Sequence, residues 1–403
     1  MEPQEATVEE VLSRGGSVSI IDLVEALVRQ AYLVGASDIH IDPTDVALRV
    51  RMRVDGVLQE KFFLSRSIHS EIISRIKVLS WLRTDEHQAV QDGRFRLLSD
   101  GAMPIDVRVS IVPTYYGENA VLRLLIDTPE QHTLATLGFS EDDQQKILRA
   151  VRHPDGMVLA TGPTGSGKTT TLYTLLKMLN TSEVSIVTIE DPVEYAISNV
   201  TQIQTQAKTG LTFATGLRSI LRQDPNIIMV GEIRDKETAG IAVNAALTGH
   251  LLLSTLHTSN AAATLPRLLD MGVDSYLVAS TVSLVIGQRL VRKICTECRS
   301  PYVLSSNERE SLQSVLQGAP DDPFFIGQGC VVCDGSGYRG RVGVDEVLVV
   351  DTSVRDALLA RESAAHIHAL AVKNGMTPML QNGLHKARLG LTSIAELLRT
   401  MHE

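Results

Sequence analysis

The sequence predicts an α/β protein in which a parallel sheet is preceded by a smaller α+β domain and followed by a four-cysteine insertion. Between residues 141 and 294, short apolar strand patterns alternate with helical patterns, which is typical of a parallel sheet covered by helices. Upstream, two segments alternate apolar residues with arginines, as antiparallel hairpins do. Cysteine occurs only as two C-x2-C pairs near the end of the parallel pattern.

Composition limits the class of protein before any motif is considered. The chain of 403 residues is 44% hydrophobic, carries a net charge of −9 and is too long for one hydrophobic core. Its acidic balance disfavours wrapping a nucleic-acid backbone. There is no apolar run of about 18 residues for a membrane span and no signal peptide at the start, so we expect a cytoplasmic protein.

The first domain is predicted over residues 19–128, after a flexible stretch at residues 1–18. Ser19 caps a predicted helix, and a strand with one apolar and one basic face turns at Asp55–Gly56 into a hairpin. The same pattern recurs on both sides of a turn at Asp100–Gly101. The arginines of these strands are Arg49, Arg51, Arg53, Arg94, Arg96 and Arg108. We expect the sheet to present this basic row to water.

The rest of the chain divides into four further segments. They are a linker at 129–140, an α/β core at 141–294, a cysteine segment at 295–335 and a mostly helical subdomain at 336–403. In the last, Ser393 and Glu396 form a predicted capping box. The apolar stretch Tyr276 to Gly287 is too short to span a membrane and is predicted to be a buried helix.

A phosphate-binding loop is the most informative motif. Gly162 to Thr169 fits G-x-x-x-x-G-K-[ST], with a strand pattern at Met157–Ala160 before it and a leucine-rich helix after it. Glycines let backbone N–H groups surround phosphate oxygens, and the helix N-terminus adds partial positive charge. Lys168 is predicted to reach the β- and γ-phosphates, and Thr169 to bind Mg²⁺. The predicted nucleotide contacts are Gly162, Pro163, Thr164, Gly165, Ser166, Gly167, Lys168, Thr169 and Thr170. The cofactors expected here are ATP and Mg²⁺.

Acidic residues follow two apolar strand patterns, at Ile186–Ile189 and Ile227–Val230. They are Glu190, Asp191, Glu194 and Glu232. Because the carboxyl ends of parallel strands line one crevice, we expect these side chains near the γ-phosphate. His257 ends another apolar strand, which His250 precedes. A lone histidine is usually structural, whereas one at a strand end near a γ-phosphate is placed to sense it.

These residues lie in segments that resemble a known group, the ATPases of type II secretion and type IV pilus assembly (the GspE and PilB families). The resemblance spans roughly residues 35–347, in order. The matching segments are GASDIHIDP, QDGRFRL, IDVRVSIVPTYYGENAVLRLL, GPTGSGKTTTLY, TIEDPVEY, LRQDPNIIMVGEIRDKETA, TGHLLLSTLHTSNA and RGRVGVDEVL. The resemblance implies a PAS-like N2 domain, a RecA-like motor domain and a homohexameric ring with ATP at subunit junctions.

The resemblance also implies the protein's work and its partners. ATP hydrolysis is expected to power assembly of a secretion pseudopilus or a pilus from the cytoplasmic face of the inner membrane. The expected partner is a polytopic inner-membrane platform protein, which makes the membrane association peripheral. Family members typically carry a further N-terminal docking domain, and we expect a short form without it because the N2-like region begins near residue 19.

The family's site residues are carried over by motif. Glu190, Asp191 and Glu194 match the Asp box, Glu232 the Walker B glutamate, and His250 and His257 the His box. Arg94 and Arg108 match arginines that reach the nucleotide from the N2 domain, and Arg218, Arg222 and Arg267 match arginines of the motor domain. Glu194 is expected to activate water and Glu232 to hold Mg²⁺ or its waters, with the reverse assignment left open. For Arg49, Arg51, Arg53 and Arg96 we expect only a contribution to solubility.

The cysteines form two matched pairs, Cys295 with Cys298 and Cys330 with Cys333. Four thiolates suit a closed, structural tetrahedral Zn²⁺ site, whereas a redox role is the alternative. The segment between the pairs is acidic, without interleaved basic and aromatic residues, so nucleic-acid binding is not expected.

Two rival functions follow from the same features. Family members that assemble pili carry such a cysteine insertion and retraction motors lack it, so the cysteines favour assembly over pilus retraction. The second rival is a non-catalytic scaffold gated by nucleotide, and the acidic clusters count against it.

Overall fold

The computed structural model describes residues 7–13, 19–97, 104–125, 132–312 and 323–402. The chain divides into two compact units, Met1–Thr128 and Pro129–Glu403, each described here by itself. The predicted turn at Asp100–Gly101 lies outside the described residues. No helix within the described ranges is both long and apolar enough to cross a bilayer.

The first unit is an antiparallel sheet with helices. Its helices are α1 (Val8–Ser13), α2 (Ile20–Leu33) and α3 (His69–Leu79). Its strands are β1 (Ala36–Pro43), β2 (Leu48–Val54), β3 (Val57–Leu64), β4 (Gln91–Leu97), β5 (Ile105–Thr114) and β6 (Gly117–Leu125). The sheet order is β3-β2-β1-β6-β5-β4. Two predictions are confirmed, since Ser19 accepts a hydrogen bond from the Asp22 N–H and Asp55–Gly56 joins β2 to β3 with positive φ at both residues.

Part of the stretch expected to be flexible is helical. α1 lies within residues 1–18 and buries Val8 and Val11 in the core of the first unit, where they pack near α2. Two valines three residues apart share one face of a helix, so this single turn and a half has an apolar side to bury. The expectation of flexibility is therefore wrong for Val8–Ser13.

The basic row of the first unit is matched by carboxylates, which the sequence analysis did not anticipate. The Arg51 guanidinium lies 2.7 Å from Asp42, and Arg96 lies 2.7 Å from Asp106 on the neighbouring strand. Cross-strand pairs of opposite charge stabilise a sheet, whereas like charges directly opposite each other destabilise it. These arginines therefore stabilise pairing between strands, a role beyond solubility.

The second unit is a helix-covered sheet. Its helices are α4 (Leu134–Leu137), α5 (Glu141–Val151), α6 (Lys168–Leu179), α7 (Phe213–Ile220), α8 (Lys236–Leu247), α9 (Ala261–Asp270), α10 (Ser275–Thr281), α11 (Ser306–Leu312), α12 (Thr352–Leu359), α13 (Ala364–Lys373), α14 (Met379–Arg388) and α15 (Ile394–His402). Its strands are β7 (Gly156–Thr161), β8 (Ile186–Glu190), β9 (Thr201–Gln204), β10 (Ile227–Val230), β11 (Leu251–Leu256), β12 (Val282–Ile294), β13 (Arg299–Tyr302), β14 (Phe324–Gly327) and β15 (Tyr338–Val349).

The main sheet of the second unit has the order β15-β12-β7-β11-β10-β8-β9, and β13 pairs separately with β14. Neighbouring strands from β12 to β9 are parallel, and only β15 runs antiparallel to its partner β12. Large apolar clusters cover both faces, as expected for a parallel sheet. The predicted α/β class is confirmed.

One helix prediction is wrong. The stretch Tyr276 to Gly287 is not a single buried helix, because α10 ends at Thr281 and β12 begins at Val282. Val285 pairs with Leu159 of β7 on one side and with Leu348 of β15 on the other. A short apolar run fits a buried helix or a central strand equally well, so its period does not distinguish them.

Segments expected to be a linker or mostly helical also contribute to the sheet and its core. Leu134 and Phe139 of the expected linker are buried. β15 falls in the expected helical subdomain, yet it is an edge strand of the main sheet. The predicted capping box forms by half, since the Glu396 N–H donates to Ser393 while the Glu396 carboxylate binds Arg292 and Arg399 instead.

Candidate functional site

The phosphate-binding loop connects β7 to α6, as the motif predicts. Gly162, Gly165 and Gly167 have φ angles of 146°, 78° and 88°, which side chains with a Cβ rarely adopt. A Cβ at Gly162 would lie only 2.2 Å from the carbonyl oxygen of Gln288 on β12. Glycine is therefore required by backbone conformation throughout the loop and by close approach to β12 at Gly162.

Lys168 is the first residue of α6 and is buried within the loop. Its ammonium group donates to the carbonyl oxygens of Gly162 at 2.8 Å and Pro163 at 2.9 Å. Burial lowers the pKa of Lys168 to about 8, and the negative charge of Glu232 opposes that shift. The loop thus holds a desolvated amine whose charge a phosphate would stabilise.

Gln288 supports the loop from the neighbouring strand. It is 1% exposed, and its side-chain oxygen accepts a hydrogen bond from the Thr171 hydroxyl of α6 at 2.8 Å. Its amide nitrogen would lie 2.9 Å from a Cβ at Gly167. β12 therefore contacts the loop at both of its ends.

Glu232 follows β10, two strands away from β7 in the sheet. Its carboxylate lies 2.6 Å from the Arg234 guanidinium and 3.3 Å from the imidazole of His257, which follows β11. β11 lies between β7 and β10 in the parallel order, so these side chains and the loop occupy the same edge of the sheet. The structure thus brings together Lys168, Glu232 and His257, as the sequence analysis expected.

Glu190 lies elsewhere than expected. Its side chain is buried, and its carboxylate accepts hydrogen bonds from the hydroxyl of Tyr173, from the Thr188 hydroxyl at 2.5 Å and from the Gln202 amide at 3.2 Å. Burial and the charge of Glu190 both raise the pKa of Tyr173, which stays a hydrogen-bond donor. Hydrogen-bond donors of the protein therefore surround the buried carboxylate of Glu190.

The other acidic-loop residues lie nearer the surface. Asp191 is exposed and Glu194 is half-buried. The Glu194 N–H donates to the hydroxyl of Tyr173 at 3.3 Å. The loop after β8 therefore places two carboxylates nearer the surface than that of Glu190.

His250 and His257 stand at opposite ends of β11. His250 precedes the strand and its Nδ1 lies 2.9 Å from the carbonyl oxygen of Ala245 at the end of α8. The six residues of β11 separate the two histidines by about 20 Å, so His250 does not join Glu232 and His257.

The motor arginines matched by motif lie on α7, just after α7 and on α9. Arg218 of α7 pairs with Glu237 at 2.7 Å, and Arg222 donates to the carbonyl oxygen of Arg218 at 2.9 Å. Arg267 of α9 is exposed. None of these contacts within the described residues joins them to the phosphate-binding loop.

In the first unit, three arginines lie in one row across neighbouring strands. Arg94 of β4 is directly opposite Arg108 of β5, which is directly opposite Arg123 of β6. Arg123 donates to Asp38 at 2.9 Å. Like charges directly opposite each other destabilise a sheet, and the ion pair with Asp38 offsets part of that repulsion at Arg123.

The four cysteine side chains converge near the C-terminal end of β12, the end farthest from α10. The Sγ atoms lie 3.9 Å apart in Cys295–Cys330, 3.8 Å in Cys298–Cys333 and 3.7 Å in Cys330–Cys333. All four lie within 4.8 Å of one another. Tetrahedral Zn²⁺ with Zn–S bonds of about 2.3 Å requires sulfur separations of about 3.8 Å, so the cluster fits that ion.

A family model described as "Type II/IV secretion system protein" matches residues 14–399. The chain belongs to this family. Type II secretion system protein E of Xanthomonas campestris pv. campestris is 45% identical over 397 residues, which cover 98% of this chain and 70% of the relative. Type II secretion system ATPase E of Vibrio cholerae is 42% identical over 400 residues, covering 98% and 78%. Type IV pilus assembly ATPase PilB of Thermus thermophilus is 42% identical over 378 residues, covering 93% and 42%.

Solved structures share the fold. The pilus retraction motor PilT with bound ADP is 25% identical with a TM-score of 0.62, covering 94% of this chain and 96% of PilT. The ATPase DotB of Legionella pneumophila has a TM-score of 0.69 at 24% identity, covering 99% and 97%, and shows the fold alone. This member of the type II/IV secretion family is an ATPase, with a phosphate-binding loop formed as in nucleotide-binding proteins.

Three residues of the site in the second unit were not singled out from the sequence, namely Gln288, Tyr173 and Arg234. In the first unit, Arg123 was not singled out either. A glutamine inside the apolar pattern VIGQRL and a tyrosine inside a leucine-rich helix were the available signals, because polar groups in buried positions need partners. Arg234 and Arg123 carried no such signal, since surface arginines are common.

Proposed function

We propose that this chain works as a homohexameric motor whose ATP hydrolysis powers assembly of a type II secretion pseudopilus or a type IV pilus. The observation that carries this proposal is that the glycine loop with Lys168 follows β7 and Glu232 follows β10, at the same edge of one parallel sheet. The names of its relatives, which include a secretion ATPase and a pilus assembly ATPase, support the assignment to assembly. The partner is a polytopic platform protein at the cytoplasmic face of the inner membrane.

Each residue of the loop has a proposed role. Residues 162–170 surround the β- and γ-phosphates with backbone N–H groups, and Lys168 neutralises their charge. Thr169 and Glu232 hold Mg²⁺, directly or through its waters, and the ion supplies charge stabilisation to the phosphates. Glu194 orients water for attack, because it lies on the same sheet edge and is not enclosed as Glu190 is.

The cationic residues complete the proposed site. Arg94 and Arg108 bind nucleotide phosphates, and their like-charged row supports this role. His257 senses the γ-phosphate through its contact with Glu232. Arg218, Arg222 and Arg267 are proposed at subunit contacts of the ring, with Asp191 bordering the nucleotide. The expected nucleotide contact of His250 is not proposed, because His250 precedes β11 at the opposite end of that strand. Residues 19–128 act as the PAS-like N2 domain and residues 141–294 as the RecA-like core.

The cysteine cluster supports assembly rather than retraction. We propose a structural Zn²⁺ held by Cys295, Cys298, Cys330 and Cys333, because all four sulfurs lie at tetrahedral spacing. Relatives named for secretion or pilus assembly reach 42–45% identity, whereas the retraction motor PilT is 25% identical.

Replacing Lys168 with alanine tests the mechanism. We expect ATP turnover to fall by about a hundredfold or more, since removal of one charge-stabilising group at a transition state has that scale. The measurement is phosphate release at saturating ATP. Unchanged turnover in Lys168→Ala would contradict the site.

A second pair of variants separates a motor from a scaffold. Glu194→Ala and Glu232→Ala should retain binding of a fluorescent ATP analogue while losing turnover. Arg51→Gln, which removes a pair with Asp42 in the first unit, is the control and should turn over ATP as the parent does. Full turnover in both glutamate variants would contradict the roles assigned to Glu194 and Glu232, whereas ATP binding without turnover in the parent would favour the nucleotide-gated scaffold.

A further inference from the structure

A buried cluster links the phosphate-loop helix to the acidic loop after β8. Tyr173 of α6 is fully buried and donates its hydroxyl hydrogen to Glu190, the last residue of β8. Gln202 of β9 donates to the same carboxylate at 3.2 Å. Thr188, two residues before Glu190 on the same strand face, adds a third donor at 2.5 Å. Three elements therefore meet at one carboxylate.

The cluster also holds the backbone of the loop that carries Glu194. The N–H of Glu194 donates to the Tyr173 hydroxyl at 3.3 Å. Gln202 donates to the carbonyl oxygen of Tyr195 at 3.1 Å and accepts from the N–H of Ile197 at 2.7 Å. Two side chains thereby bind the loop at three backbone groups between Glu194 and Ile197.

Ring packing fixes the same segment. The rings of Tyr173 and Tyr195 meet edge to face with centroids 4.7 Å apart and planes at 82°. The ammonium group of Lys177, one turn further along α6, lies 5.0 Å from the Tyr195 ring. The loop therefore has little freedom to move relative to α6, which begins at Lys168.

Buried hydrogen-bonded clusters of this kind restrict geometry, because each member loses a partner if any other moves. A carboxylate has about four acceptor sites, and protein donors already occupy three of those of Glu190, whose side chain is buried. Glu190 is therefore suited to hold its neighbours in place, and the neighbour with a proposed chemical role is Glu194.

We propose that Tyr173, Glu190 and Gln202 form a clamp of positioning residues that fixes the Glu194 carboxylate relative to Lys168. This inference rests on the proposed function, in which Glu194 orients the attacking water. A shift of about 1 Å in a positioned group costs up to a hundredfold in rate. Nucleotide binding by the phosphate loop does not depend on the clamp, since Lys168 is held by Gly162 and Pro163.

The test is Tyr173→Phe, which deletes one hydroxyl and keeps the ring. We expect kcat to fall about ten- to a hundredfold while KM and the affinity for a fluorescent ATP analogue stay within about twofold. Gln202→Leu removes the other loop anchor and should give the same pattern. Retained analogue binding shows in each case that the fold is intact.

Tyr302→Phe is a matched control, because the Tyr302 hydroxyl also donates to a carboxylate, that of Glu308 at 2.8 Å, in the cysteine segment. We expect its kcat to equal that of the parent. If Tyr173→Phe also leaves kcat unchanged, or lowers binding and kcat alike, the clamp is overturned.

A double-mutant cycle separates positioning from a general structural role. In a Glu194→Asp background, adding Tyr173→Phe should change kcat less than about twofold, because the clamp acts through Glu194. An equal fold-loss in both backgrounds would overturn the proposal. Lys168→Ala shows whether a failure concerns the clamp or the proposed function. If Lys168→Ala keeps its turnover, the proposed function itself is contradicted. If Lys168→Ala loses turnover while Tyr173→Phe keeps the parent's kcat, only the clamp is contradicted.

Discussion

At the residue scale, the phosphate loop depends on a side chain more than a hundred positions away. Gln288 satisfies the buried Thr171 hydroxyl, and its backbone oxygen defines how closely Gly162 approaches β12. A buried amide with one partner on the loop helix is costly to remove, because the hydroxyl it leaves behind has no water to bind. The loop geometry is thus fixed jointly by glycine and by this amide.

Gln288→Leu should therefore destabilise the protein by about 1–3 kcal/mol, the cost of an unsatisfied buried polar group. In a unit of this size the melting temperature should fall by about 2–4 °C per kcal/mol. We also expect KM for ATP to rise, since the loop loses its support from β12. Thermal unfolding and initial-rate kinetics measure the two effects.

Thr171→Val supplies the partner variant. Combined with Gln288→Leu it replaces both members of the hydrogen bond by apolar groups, and the double variant should be more stable than the sum of the single losses predicts. Strict additivity of the two losses would show that the bond contributes nothing.

The motif residues could be predicted because their chemistry is local. Lys168 and the glycines follow from a strand, a tight loop and a helix in immediate succession. Glu190 and Glu232 carry the same sequence signal, a carboxylate after an apolar strand, yet Glu190 is enclosed by protein donors whereas Glu232 contacts Arg234 and His257. Which side of the sheet a strand-end residue faces depends on register with β9 and α6, and no local pattern encodes that.

At the scale of elements, α15 is tied to β12 by a buried carboxylate. Glu396 accepts from Arg292 of β12 at 2.8 Å and from Arg399 at 2.8 Å, and it is 1% exposed. Burial alone raises the pKa of Glu396, but the hydrogen bonds from Arg399 and Arg292 outweigh it and lower the pKa to about 2. The last helix is therefore attached through charge as well as through Leu397 in the core.

The sign of the pH effect follows from that shift. A glutamate with a depressed pKa in the folded state stabilises the fold above its unfolded value of about 4.3, and this contribution is lost as pH falls towards 2. Glu396→Gln should lower the melting temperature by about 10 °C at pH 7, because breaking a buried pair costs about 3–5 kcal/mol. The difference from the parent should shrink between about pH 4.5 and pH 2.

Asp142→Asn is the matched surface variant. Asp142 pairs with Lys146 at 2.6 Å but its side chain is 73% exposed, so the change should shift the melting temperature by about 2 °C or less. A loss in Glu396→Gln no larger than this, or one that persists unchanged at pH 2, would contradict the assigned attachment.

The boundaries of helices and strands show which features of the structure the sequence patterns do not predict. The strand-to-loop transitions at β7, β8 and β10 were predicted within a residue or two, because apolar runs there end at glycine or acidic residues. The α10–β12 junction was not predicted, because an apolar run without alternation has no period that distinguishes a helix from a strand. β15 was assigned to a helical region because its partner β12 lies on the other side of the cysteine segment.

At the scale of the whole molecule, the cysteine cluster joins the chain on either side of residues 299–329. Cys295 follows β12 directly, and Cys333 accepts from the N–H of Gly337, just before β15. A metal held by all four sulfurs would close this loop at the point where the β12–β15 ladder begins. Binding of a structural ion then contributes to folding free energy.

Purified protein should carry one zinc per chain by elemental analysis. A dye that absorbs on binding zinc should register its release when a mercurial reagent titrates the thiols, and the melting temperature should fall after release. Cys295→Ser combined with Cys298→Ser should lose the metal, whereas Ser300→Ala, beside the cluster, should keep it. Well under half an equivalent in the parent protein after gentle purification would count against a zinc site.

The division into a basic antiparallel sheet and a parallel sheet was visible in the sequence as two kinds of alternation. The residues that connect parts of each unit were not, because Gln288, Glu396 and Tyr173 act across long stretches of chain. Contacts between residues so far apart in the sequence depend on the topology of the fold, which composition and motif spacing constrain only loosely.

The place of β15 at the edge of the sheet has a consequence for how the protein is made. Ribosomes release a chain from its N-terminus, so the main sheet lacks its last strand until residues Tyr338–Val349 have emerged. Until then β12 presents an unpaired edge, the kind of surface that recruits strands from other molecules. A nascent chain paused within the cysteine segment would thus carry a nearly finished sheet in which β12 is an exposed edge strand, until β15 pairs with it.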